Sequence, residues 1–107
     1  MFFDNKKYFE FVKSCKDAGI HVPIIPGLKP ITSKKQLMVL PRTFHVDIPT
    51  DLSNEILKCK TDADVEEVGS EWLLMQSKEL KKFGVPILHY YTLGKPHVIV
   101  NTVKQIV

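Results

Sequence analysis

The sequence predicts an α/β protein built from parallel strand–helix units. Apolar runs too short to be helices recur at 1–3, 22–25 and 86–91. Each run is followed at once by polar or Gly/Pro residues, and then by a segment with helical periodicity. Alternation of this kind implies parallel strands joined by right-handed crossovers, with helices covering the sheet.

Met1 to Phe3 reads as the end of a strand stopped by Asp4-Asn5, either of which can cap a helix over about Lys6 to Ala18. There Tyr8, Phe11, Val12 and Cys15 share one face, and Gly19 supplies the stop. Val22 to Ile25 reads as a buried strand, with Pro23 and Pro26 near its ends and Gly27 turning the chain. Thr32 and Ser33 read as capping groups, Ser33 starting a short helix to Leu40 that Pro41 helps to end. Phe44 to Ile48 alternates like a strand but is short, and an irregular connection fits it as well.

Pro49 suits the first turn of a small helix carrying Leu52, Ile56 and Leu57. Thr61 or Asp62 caps the longest helix, about Ala63 to Phe83, which Gly84 closes; its inner stripe is Val65, Gly69, Trp72, Leu73, Leu80 and Phe83. Gly69 costs a helix about 1 kcal/mol relative to Ala, so it marks a place where something packs closely. Gln76, in the same stripe, reads as an amide hydrogen-bonded at a helix–sheet seam. Pro86 to Tyr91 is the third strand. The tail from Pro96 to Val107 has strand-like composition, but Val98, Ile99, Val103 and Ile106 fit one helical face, and a helix is predicted.

The 107 residues amount to one domain, with 44% apolar and 25% charged residues. No apolar run approaches the roughly 18 residues a membrane span needs, and the first residues lack a signal-peptide pattern. A cytoplasmic protein without membrane attachment is expected. The formal charge of +3 is small and the lysines are spread among acidic residues, which predicts solvated helix faces and no nucleic-acid surface. Cys15 and Cys59 read as free thiols, and His21, His45, His89 and His97 have no metal-binding spacing. No catalytic residue and no metal ligand stand out. What remains is a shared rim at the strand ends, Asp4-Asn5, Pro26 to Lys29 and Tyr91 to Gly94, where α/β sheets place ligands. Three parallel strands cover their faces and edges poorly, so the chain is expected to be part of a larger sheet.

Phe2-Phe3-Asp4-Asn5, Tyr8, Phe11-Val12, Cys15, Ala18-Gly19-Ile20, Pro23 to Leu28, Pro30-Ile31-Thr32, Lys35-Gln36, Ile48-Pro49, Gly69, Gly84-Val85 and His89 to Leu93 form an ordered set. With it, the sequence resembles the flavin-dependent, bacterial-type methylenetetrahydrofolate reductases over almost its whole length, in line with their C-terminal third. The resemblance implies that residues 1–107 are a single partial domain, the last three strand–helix units of a TIM (β/α)8 barrel. It implies an oxidoreductase of one-carbon and methionine metabolism, in which NAD(P)H reduces bound FAD and the flavin reduces 5,10-methylenetetrahydrofolate to 5-methyltetrahydrofolate.

Carried over residue by residue, Gln36 matches an amide on the folate tail side, and Tyr91 a tyrosine lining the same cleft. Lys95 falls where some members carry an arginine near the folate glutamate, and Leu40 where some place a phenylalanine that stacks on folate or adenine. A leucine there offers packing without ring stacking. On the residues alone, the other readings are a solvated helix residue for Gln36, a packing residue for Tyr91, a surface lysine for Lys95 and core for Leu40. The family's general-acid glutamate and most flavin contacts lie before the region matched here, so this polypeptide alone is expected neither to hold FAD nor to reduce folate. The alternative is a non-catalytic module that pairs with the rest of a barrel, or with itself as a homo-oligomer, through open sheet edges.

Overall fold

The computed structural model of the chain describes residues 1–92 and 96–107. It is α/β and mostly helical: α1 (Asn5–Asp17), β1 (Gly27–Leu28), α2 (Gln36–Phe44), α3 (Thr50–Leu57), α4 (Asp62–Lys82), β2 (His89–Tyr90) and α5 (Pro96–Ile106). The two strands pair in parallel, Gly27 opposite His89 and Leu28 opposite Tyr90. Between the first strand and the second run three helices, and the long α4 packs against α3, α5 and α1. No helix among the described residues is long and apolar enough to cross a membrane.

The helix ends follow local chemistry. Asp4 caps α1, its Oδ1 accepting from the Lys6 N–H at 3.0 Å, and Thr61 caps α4 by accepting from the Asp64 N–H at 3.2 Å. Asp62 and Asp64 in the first turn of α4, with Lys81 and Lys82 in the last, complement its dipole. The Lys81 ammonium reaches the Ile106 carbonyl, joining the ends of α4 and α5.

Two apolar clusters form the core. One gathers Phe3, Ile31, Leu40, Leu52, Ile56 and Val65 around α2, α3 and the start of α4. The other gathers Tyr8, Leu28, Leu73, Leu80 and Ile99, and places the strand pair against α1, α4 and α5. Leu28 is 0% exposed, and burial of such a side chain contributes about 2 kcal/mol. Where the two meet, α4 lies directly on the chain after β1: a Cβ built on Gly69 would stand 1.9 Å from the Ile31 carbonyl oxygen. The helix-weakening glycine thus marks a backbone contact that no other residue permits.

Several sequence expectations are corrected. Residues 1–3 form no strand; Trp72 Nε1 donates to the Phe3 carbonyl at 2.8 Å and Gln76 Nε2 to the Phe2 carbonyl at 3.3 Å, so side chains of α4 take the place of a ladder. The strand expected at Val22 to Ile25 forms instead at Gly27–Leu28. Pro23 and Pro26 have no N–H to give, and the ladder begins where the Pro26 carbonyl accepts from His89 at 3.0 Å. The third strand shortens likewise to His89–Tyr90. Helix α2 starts at Gln36, with Lys35 rather than Ser33 at its cap position, and runs through Pro41 to Phe44. Pro41 lacks only its own N–H; its carbonyl still accepts from the His45 N–H at 3.0 Å, so the helix runs on for one turn.

Two aromatic placements also differ. Phe83, expected in the inner stripe, is 66% exposed because it lies past the last turn of α4; its ring meets Phe9 at 4.1 Å. Phe11 is exposed and Phe9 half-buried, a small rotation of the inner face of α1. The tail is a helix, with Val98 and Ile99 buried.

Gly69→Ala is expected to lower unfolding stability by about 1–3 kcal/mol through overpacking, despite the better helix propensity of alanine. Urea unfolding followed by circular dichroism measures it, and an unchanged midpoint would contradict the close contact.

Candidate functional site

Parallel pairing sends both strands out of the sheet at the same end. Alternation then divides their side chains. Ile24, Leu28, Leu88 and Tyr90 turn toward the helices and join the second cluster. Ile25 and Ile87, at 52% and 54% exposure, lie on the opposite face with Gly27, His89 and Tyr91. One face of the strand pair is packed, and the other is open.

Tyr91 follows β2 directly, its N–H held by the Leu28 carbonyl at 2.9 Å. Its ring lies over Gly27, where a Cβ would come within 2.8 Å of Cε2, and meets the His89 ring edge-on at 4.8 Å. Gly27 therefore serves Tyr91 as a seat. Met1, Phe44, Val46 and Tyr91 line a cavity of about 280 Å³. Phe44 has an exposed ring at the end of α2, where His45 at φ 54° reverses the chain and brings Val46 back to the cavity.

Gln36 is the first residue of α2 and is tied to the loop before it. The Thr32 N–H donates to its Oε1 at 2.8 Å, and its Nε2 donates to Thr32 Oγ1 at 3.3 Å. This reciprocal pair ties the loop to the first turn of α2, but among the described residues no side chain caps the helix itself, so the capping expected of Thr32 and Ser33 does not form. The second N–H of the amide has no partner among the described residues, so Gln36 presents a donor.

Lys29 lies beside it, only 4% exposed, with Nζ donating to the Pro30 carbonyl at 2.9 Å and lying 3.5 Å from Gln36 Oε1. Burial pushes its ammonium below the usual lysine value. Burial likewise raises the phenols of Tyr8 and Tyr90; the hydroxyl of Tyr90 bonds Ser77 at 2.8 Å, which acts the other way.

The four residues singled out from sequence separate. Gln36 and Tyr91 both stand at the exit end of the strands, in the segments that follow β1 and β2. Leu40 is 3% exposed and packs with Phe3, Ile31, Leu52, Ile56 and Val65, as its reading as a core residue expects. Lys95 lies outside the described residues. Sequence reasoning missed Phe44, although it falls one turn after Leu40, because Pro41 placed the helix end too early. It also missed Lys29, whose neighbours Leu28 and Pro30 give no sign that a lysine there would be buried.

The family model described as methylenetetrahydrofolate reductase matches residues 1–107. Curated relatives include the 5,10-methylenetetrahydrofolate reductases of Salmonella typhimurium, 35% identical over 88% of this chain and 32% of theirs, and of Escherichia coli, 34% identical over the same shares. A protein of Caenorhabditis elegans named probable methylenetetrahydrofolate reductase (NADPH) is 28% identical over 99% of this chain and 16% of its own. The chain spans about a third or less of the length of the relatives it matches.

Because the folded pKa of Lys29 is depressed, the unfolded chain binds more protons between that value and 10.5, and this lysine makes stability rise with pH over that window. Tyr8 and Tyr90 act oppositely above about 10, since the folded chain keeps protons that the unfolded chain releases. Urea unfolding of wild type and Lys29→Met between about pH 8 and 10 isolates the lysine. Wild type is expected to gain on the variant as pH rises, and a constant difference would contradict the buried ammonium.

Proposed function

Since the chain belongs to the methylenetetrahydrofolate reductase family, we propose that it forms the closing strand–helix units of a (β/α)8 barrel that reduces 5,10-methylenetetrahydrofolate to 5-methyltetrahydrofolate. The observation that carries this reading is the family match along the whole chain. The parallel strand pair supports it: helices cover one face, and the other is bare as the inner wall of an incomplete barrel would be.

In that setting the open face and strand exits belong to the ligand cavity. Gln36 donates its remaining amide N–H to an acceptor on the aminobenzoyl-glutamate part of folate. Tyr91, seated on Gly27, supplies an aromatic wall and a hydroxyl. Lys95 follows Tyr91 closely enough in sequence to serve the folate carboxylates as a cation.

FAD is the redox group that the family reading implies, with NADH or NADPH as the electron source; relatives carry both names. The residues described fit only one side of such a cofactor. Ile25 and Ile87 offer an apolar wall, beside Gly27 and His89 that the Tyr91 ring covers, whereas Lys29 is buried on Pro30 and Gln36. No step of hydride transfer is assigned to this chain.

A second reading, favoured by exposed Ile25 and Ile87 on an open sheet face, is an assembly module that pairs with a separate chain or with itself.

Purified chain mixed with FAD and desalted is expected to show no flavin band at stoichiometric strength and no folate reduction. Joined to the remaining barrel units of a family member, it is expected to retain flavin, and Gln36→Leu and Tyr91→Ala are then expected to raise the KM for folate more than they lower kcat. Retained flavin in the chain alone would overturn the partial-barrel account, and a folate KM unchanged in both variants would overturn the assigned contacts. Light scattering tests the second reading, which predicts a dimer or larger species.

A further inference from the structure

We propose that Lys29 is a positioning residue for Gln36: its buried ammonium keeps the amide oxygen turned inward and strengthens the outward N–H as a donor to a bound acceptor. That the acceptor belongs to folate rests on the functional reading above; the coupling of the two side chains does not.

Lys29 follows β1 directly, and Gln36 opens α2 at the same rim. The lysine Nζ donates to the Pro30 carbonyl at 2.9 Å and to Gln36 Oε1 at 3.5 Å. The same oxygen accepts from the Thr32 N–H at 2.8 Å, and Gln36 Nε2 donates to Thr32 Oγ1 at 3.3 Å. Turning the amide over would set its N–H groups against the Thr32 N–H and the ammonium. Gln36 is half-buried and reaches solvent, whereas Lys29 is enclosed. A ligand at the rim therefore meets the amide, with the charge behind it.

Packing alone does not account for a lysine at this position. No carboxylate pairs with Lys29 among the described residues. It also lies beside the first residue of α2, where the helix dipole is positive. Burying a cation in such surroundings is unfavourable, and the ammonium falls below the usual lysine value for that reason. A methionine would fill much the same space with no charge to desolvate.

What the charge does gain is the amide oxygen. A cation on a carbonyl oxygen draws electron density away from the amide nitrogen, and linked hydrogen bonds polarise one another in a low-dielectric setting. The free N–H of Gln36 thus becomes a stronger donor of fixed direction, suited to a carbonyl or carboxylate oxygen.

The coupling is read in the 107-residue chain by carbon-detected NMR, which follows Gln36 Cδ where amide protons exchange too fast to observe. The signal is identified by its loss in Gln36→Leu. Between about pH 8 and 11 it is expected to move upfield with the same midpoint as Lys29 Cε, below 10.5. In Lys29→Met it is expected to stay still. In Lys29→Arg, which keeps a charge that does not titrate, it is expected to hold near its wild-type position at the low end of that range. Lys34, Lys35 and Tyr91, the other titratable groups flanking the rim, are present in every variant, so the comparison removes them. A Gln36 signal that fails to titrate in wild type, or titrates equally in Lys29→Met or Lys29→Arg, would overturn the proposal and leave Lys29 a packing residue. In the joined barrel, Lys29→Met is expected to raise the folate KM several-fold with kcat retained. A KM unchanged in Lys29→Met but raised in Gln36→Leu would overturn the positioning role. A KM unchanged in both, with the NMR coupling present, would strike the folate contact and leave the coupling established.

Discussion

The contact between the Ile31 carbonyl and the bare backbone of α4 at Gly69 governs the rest of this structure. It brings the longest helix down onto the loop that follows β1, closing the first apolar cluster around Ile31 and Val65. The same loop carries Lys29 and Thr32, which hold Gln36 from either side of Ile31. A larger residue at position 69 would lift the helix off the loop, and with it the support for the rim. The helix pays for this glycine with weaker local propensity, and the close packing outweighs the loss.

Helix α4 also decides how the strands are used. Leu73 and Leu80 cover Leu28, and Ser77 holds the Tyr90 hydroxyl, so one face of the short sheet is fully engaged. On the remaining face Ile25, Ile87 and His89 stay exposed, and only Phe44, at the end of α2, comes near Tyr91 among the described residues. In parallel sheets both faces are ordinarily covered, and this asymmetry is the physical counterpart of a chain that matches only part of its relatives' length. On this account the ligand side is the bare face and the support side is the helical one.

Much of this was legible in the residues. The caps at Asp4 and Thr61, the helix from Pro49 onward, the close approach at Gly69 and the helical tail all follow from local chemistry that the structure keeps. Strand extent was less legible, because apolar runs advertise burial and not pairing, and the prolines at 23 and 26 remove the donors that a ladder needs. Leu40 and Phe44 show the same limit within the site. Their spacing puts them on one helical face, but only the packing around Phe3 and Ile31 decides that Leu40 is enclosed and Phe44 remains open. The burial of Lys29 depends on its side chain turning onto the carbonyl of the next residue, Pro30, and toward Gln36, which no periodicity encodes.

The division into a packed and an open face can be tested through the three tyrosines. Tyr8 is held by the Ile24 carbonyl at 2.6 Å and Tyr90 by Ser77, both under the helices with raised phenol pKa values, whereas Tyr91 stands on the open face. Brief nitration with tetranitromethane, followed by peptide mass mapping, ranks their reactivity. The account predicts that Tyr91 is nitrated well before Tyr8 and Tyr90. Modification of Tyr90 at the same rate as Tyr91 would contradict it.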